Sequence, residues 1–579
     1  MNFSCKAINQ FIMRILIPIF LVLQTLTIFG QADLQTFQQR THMVHPDELL
    51  ALPESGKGFT ATPPPGGKVR SIAEFEPTEG VIVAYSGQFG IPFNLIAQMS
   101  QIAKVYTLVA NASVETTVRN QYTANGVNLN NCLFLYGTID SYWSRDYGPW
   151  FIADSANRVA IVDFPYNRPR PNDDDVPGRV ATALGLQMYG MNVTHTGGNY
   201  MSDGTGRAAS TKLVLTENTN LTTAQINAYF ADYLGVDSYY TLDDPLGDYI
   251  EHIDCWGKFL APDKILLGQV PSNDPRFNDY EALATFFAGT PSPYGYPYKV
   301  FRVYSPNGQP YTNSYILNKT VFLPVVTTSG TPWNDSAKAA YERAMPGYTV
   351  QSIYALSSKP WASTDALHCR AHEIADRGML YIRHQPMWGK VGQKSSYEVK
   401  AEFISYSGSM LYSDSARIYY RYNTGPWHSV LMTPDTGHVW IGYIPDSAAG
   451  VTIGYALHAA DTSRRSENHP YMGILDPHTF EVVSTSGLQP QEKAPQGILI
   501  FPNPADDRIY AAIYHTEEAP VEVNLYHQAG YLVASQRYAD AKTLYRDGIP
   551  VFHLKSGIYL MEVKVNGRKM VERVTILHH

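Results

Sequence analysis

The sequence predicts an α/β chain in which five similar β-plus-α modules surround a common axis, followed by two β-sandwich modules. Three observations support this fold class. A polar residue followed by two apolar strands and a tight turn recurs at intervals of about 53 to 59 residues. Segments with apolar residues at spacings of three and four separate these repeats. After Ser395 the pattern changes to short alternating strands with turn signals at regular spacing.

The first 32 residues have the pattern of a secretory signal peptide. Lys6 and Arg14 precede the uncharged apolar run Ile15–Gly30, and the small residues at positions 30 and 32 provide a cleavage site after Ala32. No later segment reaches the roughly 20 consecutive apolar residues needed to cross a bilayer. We therefore expect an exported chain without a transmembrane segment.

Residues 33–68 are predicted to be an N-terminal extension, because they lack periodicity and end in the turn-rich TPPPGGK. The catalytic region is predicted over residues 69–390, with helices near Thr222–Gly235 and Asp279–Gly289. Radial closure of five modules would bring the polar residue at the start of each repeat to one central site. These residues are Asp146, Asn199, Asp254, Asn313 and Cys369.

Composition limits the kinds of partner and the redox chemistry. The net charge of -8 disfavours nucleic acid and is compatible with a cationic ligand. Cys5 leaves with the signal peptide, so Cys132, Cys255 and Cys369 remain. An odd count excludes a complete disulfide framework and leaves open either one disulfide with one thiol or three thiols. We expect structural roles for Cys132 and Cys255.

The sequence disfavours a metal site. His368, Cys369 and His372 are permissible zinc ligands, but the paired cysteines of a structural zinc site are absent. The segment HEIAD (His372–Asp376) ends in aspartate where the metalloprotease signature requires histidine. We expect neither a metal nor another cofactor.

Cys369 is the predicted nucleophile, with His252 as acid and base across the central site and Asn313 as an orienting group. Asp146 and Asp254 would repel each other unless a cation lies between them. A guanidinium fits this arrangement, because it is planar, permanently charged and offers five N–H donors. Its central carbon would then face the sulfur, and the reaction would release ammonia and form a thiouronium that water hydrolyses.

Two further modules are predicted after the catalytic region. Residues 391–486 have the strand pattern of an immunoglobulin-type sandwich. Residues 487–579 comprise a linker and a last small β module without a catalytic constellation. Such a terminal module is typical of an attachment module rather than a catalytic domain.

Five motifs together resemble the secreted bacterial peptidylarginine deiminases, relatives of agmatine deiminases in the guanidino-modifying superfamily. The motifs are WSRDYGPWF, TGGNYMSDG, EHIDCWGKFLAP, YTNSYILN and DALHCRAHE. The resemblance implies a five-bladed pseudo-symmetric α/β propeller, an immunoglobulin-like β-sandwich and a C-terminal β-sandwich that serves as a type IX secretion signal. It also implies partners in the type IX secretion machinery, arginine-containing peptides and proteins as substrates, and no dependence on calcium.

The same resemblance assigns roles to individual residues. It makes Cys369 the nucleophile, His252 the general acid and base, and Asn313 an orienting residue. Asp146 and Asp254 become the guanidinium ligands. The substrate channel is assigned to Trp143, Tyr249 and Ile250.

Arg168 and Arg170 bear on the choice of substrate. They alternate along YNRPRPNDDD, so their side chains could point the same way. In the family such a pair resembles the clamp for the free carboxylate of a C-terminal arginine, whereas spacing alone equally allows surface pairing with Asp173, Asp174 and Asp175. The clamp favours peptides that end in arginine.

Two alternatives stay open. Gly148-Pro149 after Arg-Asp-Tyr is the form common in agmatine deiminases, so agmatine or free arginine is the alternative substrate. From a different class, the β-rich tail and repeated modules would also suit a surface adhesin. The set of nucleophile, base and two carboxylates favours the enzyme, because an adhesin could bind a cation without a nucleophile or a base.

Overall fold

The structure is a computed structural model that describes residues 42, 59–247, 250–327, 331–361, 365–484, 498–501, 505, 507–513, 519–528 and 530–578. The predicted signal peptide and Tyr249 lie outside the described residues. In the part of the chain so described, no helix combines the length and the apolar character needed to cross a membrane.

Residues from Arg70 to Ala375 form five sheets of similar construction among the described residues. In each, an antiparallel strand pair is extended by a parallel strand that returns after a helix. The strands in chain order are β1 (Arg70–Ser71), β2 (Thr78–Ala84), β3 (Lys104–Val109), β4 (Cys132–Tyr136), β5 (Trp150–Ala153), β6 (Val159–Asp163), β7 (Met188–Gly190), β8 (Met201–Ser202), β9 (Arg207–Thr211), β10 (Ser238–Leu242), β11 (Gly257–Ala261), β12 (Lys264–Gln269), β13 (Lys299–Tyr304), β14 (Tyr315–Leu317), β15 (Thr320–Val325), β16 (Thr349–Tyr354) and β17 (His372–Ala375).

Helices make the parallel crossovers, and local chemistry sets their ends. The helix after Thr222 begins with a capping box between Thr222 and Gln225 and ends at Gly235, whose φ of 65° suits glycine. Its apolar face, with Ile226 and Phe230, is buried. The helices are α1 (Phe93–Ile102), α2 (Ala112–Ala124), α3 (Pro171–Asp174), α4 (Val176–Leu184), α5 (Leu213–Thr216), α6 (Thr223–Leu234), α7 (Phe277–Gly289), α8 (Thr331–Ala344) and, near the C-terminus, α9 (Ala541–Asp547).

The fifth sheet joins the two ends of this region. The last repeat, like the others, was predicted to form its own hairpin, with its turn at DRG (Asp376–Gly378). Instead β17 pairs with β2, with His372 opposite Ile82. The strand after the turn, β18 (Leu380–His384), pairs with β20 (Ser396–Ser405) of the next module. The predicted hairpin is therefore wrong, because the edge of β17 that would have paired within the hairpin pairs with β2.

Two sheets follow and share one core. One has the order β18, β20, β24, β23, and the other β19, β27, β25, β21, β22, with β26 paired to β25. Apolar side chains of both sheets, such as Val399, Ile418 and Leu457, are buried between them. The remaining strands are β19 (Gly389–Gly392), β21 (Arg417–Tyr422), β22 (His428–Leu431), β23 (Thr433–Pro434), β24 (Val439–Pro445), β25 (Thr452–Ala460), β26 (Ser466–His469) and β27 (His478–Val483).

The C-terminal module again consists of two sheets around a separate apolar core. Its second sheet has the order β31, β30, β33, β34, with all pairs antiparallel. The strands are β28 (Ile498–Phe501), β29 (Arg508–Ile513), β30 (Val521–His527), β31 (Leu532–Tyr538), β32 (Ile549–Pro550), β33 (Gly557–Val565) and β34 (Arg568–Ile576).

Candidate active site

Three of the predicted polar residues lie in single 3-10 turns that each end just before a strand. Asn199 lies in Gly197–Asn199, Asp254 in Ile253–Cys255 and Cys369 in His368–Arg370. Two of the turns are tied together, since the side-chain oxygen of Asn199 accepts from the amide of Ile253 at 3.3 Å, and it also accepts from the amide of Thr211 in β9 at 2.8 Å. The repeats thus bring distant segments to one buried centre.

Cys369 is fully buried, and Asn313 holds it. The Asn313 side-chain nitrogen donates to Cys369 Sγ at 3.2 Å. Its side-chain oxygen accepts from the amides of Ala366 at 3.0 Å and Cys369 at 3.4 Å. Asn313 therefore fixes both the thiol and the turn that carries it.

Asp254 lies beside the thiol and begins a line of buried polar groups. Its Oδ2 is 3.5 Å from Cys369 Sγ and 2.6 Å from His368 Nδ1. His368 Nε2 lies 3.3 Å from Glu74, which pairs with Lys258 at 2.5 Å. Asp254 Oδ1 has no hydrogen-bond partner among the described residues, so one oxygen is held by His368 and the other is available to a ligand.

Asp146 and His252 face each other across the turn that contains Gly198. His252 Nδ1 is 3.6 Å from Asp146 Oδ1, and both groups are buried. A Cβ on Gly198 would lie 2.6 Å from His252 Nδ1 and 2.8 Å from Asp146 Oδ1, which is too close for either group to remain in place. The second glycine of TGGN is thus required by the close approach of these two side chains.

The sequence analysis did not identify two members of the site, His42 and Asp365. His42 Nδ1 is 2.6 Å from Asp365 Oδ2, and His42 Nε2 contacts Asp146 Oδ2. The imidazole stacks on Trp143 with a centroid distance of 4.0 Å and an interplanar angle of 5°. Asp365 is four residues before Cys369 and could have been noticed in the motif, but His42 lies in an extension without any pattern that points to the site.

The buried charges shift one another's pKa values. Burial would raise the pKa of Asp146, but His42 and His252 lower it to about 2. Burial likewise opposes the effect of the His368 hydrogen bond, which still leaves the pKa of Asp254 below its ordinary value. Burial lowers the pKa of His252, so its imidazole is neutral in this state at pH 7. These carboxylates are therefore ionised beside a neutral imidazole.

The thiol of Cys369 is protonated in this state. Burial raises its pKa well above the ordinary value, and the charges of Asp254, Asp365 and Asp146 raise it further, although a hydrogen bond with Cys255 acts in the opposite direction. No disulfide joins Cys132, Cys255 and Cys369, all of which the structure describes. Of the two states left open by the sequence, the structure shows three thiols.

Of the two predicted arginines, the charge of Arg168 acts on Asp146, whereas that of Arg170 acts on Asp173 and Tyr166. Arg168 and Arg170 are both buried, at 8% and 6% exposure, and the charge of Arg168 contributes to the low pKa of Asp146. Asp173 accepts from the hydroxyl of Ser141, and burial raises its pKa to about 7 although the charge of Arg170 opposes that shift; Asp174 accepts from the amide of Tyr166. The pairing of Arg170 with Asp173 that the spacing allows therefore stays open as a role for this arginine.

The other channel residues and the possible metal donors complete the description of the site. Trp143 and Ile250 are buried at 2% exposure, while Tyr249 lies outside the described residues. Among the described residues, three groups have donor atoms that all lie within 4.8 Å of one another, the spacing that a metal ion requires. They are His42, Asp365 and Cys369; His42, Asp146 and His252; and Asp254, Cys255 and Cys369.

Comparison with known proteins gives two family matches. Residues 70–374 match the family model of the Porphyromonas-type peptidyl-arginine deiminases, which is more than half of the chain. Residues 499–577 match a secretion system C-terminal sorting domain. This second match indicates export to the cell surface or the medium by the type IX route.

Individual relatives are more distant. A putative agmatine deiminase of Legionella pneumophila (strain Paris) is 25% identical over 252 residues, covering 40% of this chain and 72% of that protein. An agmatine deiminase of Pseudomonas putida (strain KT2440) is 29% identical over 155 residues, covering 24% of this chain and 42% of that protein. The structure of a putative arginine deiminase from Porphyromonas gingivalis covers 53% of this chain and 98% of its own, with 17% identity and a TM-score of 0.46.

Proposed function

The chain belongs to the Porphyromonas-type peptidyl-arginine deiminase family, enzymes that act on guanidino groups, and we propose that it converts C-terminal arginine of peptides and proteins to citrulline. The observation that carries this proposal is the buried thiol of Cys369 surrounded by the carboxylates of Asp254, Asp365 and Asp146. Such an arrangement of negative charges favours a cation next to the sulfur.

The substrate cation would also activate the nucleophile. A guanidinium placed between the carboxylates offsets their charge, which lowers the pKa of Cys369 at the moment when the target carbon arrives. The thiol proton then passes to the neutral imidazole of His252. Asn313, whose side chain donates to Sγ at 3.2 Å, stabilises the thiolate.

The chemical steps follow from these positions. Cys369 Sγ attacks the guanidinium carbon, and one C–N bond breaks as His252 gives its proton to the departing ammonia. The product is a thiouronium bound to Cys369. His252 then takes a proton from water, and the hydroxide adds to the same carbon. The C–S bond breaks as His252 returns this proton to Sγ and the added hydroxyl loses its proton to solvent. The result is the urea group of citrulline, with the thiol restored.

Arg168 and Arg170 support the preference for a C-terminal arginine. Both guanidinium groups are buried rather than extended into solvent, and the charge of Arg168 acts on Asp146. A free α-carboxylate next to the scissile side chain would pair with them, because arginine binds carboxylates through two parallel hydrogen bonds. A C-terminal amide lacks that charge.

Agmatine is the second candidate substrate. The relatives from Legionella and Pseudomonas carry the name of agmatine deiminases, and the segment Arg145–Pro149 has the form common in that group. Agmatine has no carboxylate, however, so it would offer no partner to the buried charge of Arg168. Free arginine has the carboxylate and would be accepted.

The remaining parts of the proposal concern architecture. We place the site at the centre of a five-bladed α/β propeller, with an immunoglobulin-like sandwich after it. A surface adhesin is the least favoured reading, because cation binding alone requires neither a thiol nor an orienting amide such as Asn313.

One assay tests the proposal. Citrulline formation is measured with a short peptide ending in arginine, its C-terminal amide, free arginine and agmatine, using the wild type and Cys369→Ala. Turnover of the free-acid peptide that is lost in the variant supports the proposal. Preference for agmatine would assign the protein to the small-molecule enzymes, and binding without turnover would favour the adhesin.

A further inference from the structure

The side chain of His42 occupies the space next to the nucleophile. It is 1% exposed, and donor atoms of His42, Asp365 and Cys369 lie within 4.8 Å of one another. Its two ring nitrogens contact different carboxylates, Asp365 at 2.6 Å and Asp146. A histidine far away in sequence therefore fills the centre of the site.

An imidazolium resembles a guanidinium in the features that this site recognises. Both are planar cations, and both present N–H donors at opposite edges of the plane. The ring of His42 also lies flat on Trp143, at 4.0 Å and 5°. A guanidinium stacks on an aromatic face in the same manner. The position of His42 thus marks the plane and the two edges that a substrate guanidinium would take.

We propose that Asp365, together with Asp146, binds the guanidinium of the substrate, and that His42 is an intramolecular competitor for this subsite. The proposal rests on the proposed function, and it adds a substrate ligand and a competing group from the same chain. While His42 contacts both carboxylates, a guanidinium cannot contact them.

Asp365 and Asp254 have different surroundings. Asp254 has one oxygen held by His368 at 2.6 Å and lies 3.5 Å from Sγ. Asp365 has the oxygen Oδ2 directed to the nitrogen of a planar cation on the side opposite Asp146. We therefore assign Asp146 and Asp365 to the two edges of the cation, and Asp254 remains a further ligand of the cation on the side of the sulfur, through its Oδ1.

Competition of this kind has a defined kinetic signature. If only a fraction of molecules has His42 displaced, the apparent affinity for any cation is reduced by that fraction. Removing the imidazole should lower KM for the arginine peptide and leave kcat unchanged, because the chemical groups are the same once the substrate is bound.

The test is alkylation of Cys369 in full-length protein that retains residue 42, as verified by intact mass. The probes are chloroacetamidine, a planar cation, and chloroacetamide, its uncharged counterpart, and peptide mapping separates Cys369 from Cys132 and Cys255. We expect His42→Ala to react with chloroacetamidine roughly tenfold faster than the wild type, if about one molecule in ten is open. The control His45→Ala, altered three residues further along the chain, should match the wild type.

The role of Asp365 is tested in the His42→Ala background. There, Asp365→Asn should slow chloroacetamidine at Cys369 by roughly tenfold, a charged hydrogen bond being worth more than 1.4 kcal/mol, and should not slow chloroacetamide. If His42→Ala and His42→Ala with Asp365→Asn reacted with chloroacetamidine at the same rate, Asp365 would only hold His42. This result would overturn the assignment of Asp365 as a substrate ligand. Thermal unfolding checks that each variant is folded, and His42→Asn serves as a second variant without the ring.

If both His42 variants reacted with chloroacetamidine at the rate of the wild type, the proposal that His42 competes with a cation would be wrong. This readout needs no turnover, so it is separate from the test of the proposed function. If citrulline fails to form from every arginine compound, the deiminase proposal fails, while the alkylation rates still decide whether His42 and a cation compete.

Discussion

The charge around Cys369 separates the reactivity of the thiol from turnover. Burial raises the thiol pKa, and Asp254 is the nearest carboxylate that raises it further. Removing that charge should make the sulfur more reactive toward a neutral reagent even as it removes a group that the substrate cation requires. Loss of a purely structural residue would not increase the alkylation rate of Cys369 while it decreases substrate turnover.

We therefore predict that Asp254→Asn reacts faster with iodoacetamide at Cys369, by roughly threefold or more at pH 8, since each pKa unit changes the thiolate fraction about tenfold. Turnover of the arginine peptide should fall by roughly 100-fold or more, because one charged ligand is lost. Mass mapping of Cys369 with parallel citrulline assays measures both. Slower alkylation in this variant would contradict the electrostatic account.

The effect of His42 should depend on pH. Burial opposes protonation of the docked imidazole, but Asp146 and Asp365 raise its pKa to about 9. The groups that face it are Asp146, Asp365, His252 and Cys369. Because the docked pKa is raised above the ordinary 6.5, the stabilisation of docking is complete below pH 6.5 and is lost as pH rises through about 9.

We accordingly predict that the ratio of kcat/KM between His42→Ala and the wild type is largest near pH 6.5 and approaches one above pH 9. Because burial and the charge of the docked His42 both lower the pKa of His252, the ratio reports the docking of His42 together with this effect of its charge on His252. Initial rates with the arginine peptide from pH 6 to 10 provide the measurement. A ratio that stays constant across this range would exclude a charged competitor.

At the scale of the elements, the 3-10 turns position the site, and Gly198 of the turn Gly197–Asn199 packs directly against His252 and Asp146. Gly198 has an ordinary negative φ, so its replacement would introduce no backbone strain. The conflict is with the side chains of His252 and Asp146 alone. A change at this position should therefore act on catalysis more than on folding.

Gly198→Ala should lower kcat/KM by roughly 100-fold, since small displacements of catalytic groups have effects of that size. The matched control is Gly178→Ala in α4, where an added Cβ would be no closer than 4.0 Å to another atom. That control should keep full activity and gain up to about 1 kcal/mol of stability from helix propensity. If Gly198→Ala and Gly178→Ala were equally active, the turn Gly197–Asn199 would not position His252 and Asp146 for catalysis.

The sequence predicted the local parts of this arrangement better than the long-range ones. The recurring polar positions Asp146, Asp254, Asn313 and Cys369 do meet in space, because regular repeats place equivalent positions alike. The pairing of β17 with β2 was missed, since strand periodicity identifies a strand but not its partner. His42 was missed for a related reason, as its contacts with Asp146 and Asp365 span 104 and 323 residues.

At the scale of the whole molecule, partly buried and buried polar contacts join the catalytic region to the module that follows. Arg465 forms two hydrogen bonds of 2.6 Å with Asp376. Nearby, three buried histidines lie together. His469 Nδ1 is 2.9 Å from His478 Nε2, His469 Nε2 is 3.1 Å from the Tyr294 hydroxyl, and the rings of His384 and His469 are 5.6 Å apart.

This histidine cluster should make the junction sensitive to acid. Burial lowers the pKa of His384 to about 4 and that of His469 to about 3, and it also lowers that of His478. Since these values lie below the unfolded value of 6.5, the unfolded chain binds protons first. The stability that the neutral histidines provide is present above pH 6.5 and is lost as pH falls toward 4.

The thermal midpoint should therefore fall between pH 6.5 and 4.5 by about 5 °C or more, because a loss of about 1 kcal/mol shifts Tm by 2 to 4 °C in a unit of this size. The variant His469→Gln should have a lower midpoint at pH 7 but a smaller decrease with acid. The surface variant His428→Gln is the control and should follow the wild type. Parallel curves for all three would show that this cluster does not titrate on unfolding.

The central claim is that the reaction passes through a covalent bond between Cys369 and the guanidino carbon of an arginine substrate. The most direct test is the mass of the enzyme after acid quenching during turnover of a peptide ending in arginine, with Cys369→Ser as the control. We predict an adduct on Cys369 with the mass of the peptide less ammonia, which is absent from the control and disappears when the substrate is consumed. Citrulline formation without any such adduct, at a rate that Cys369→Ser retains, would contradict the account.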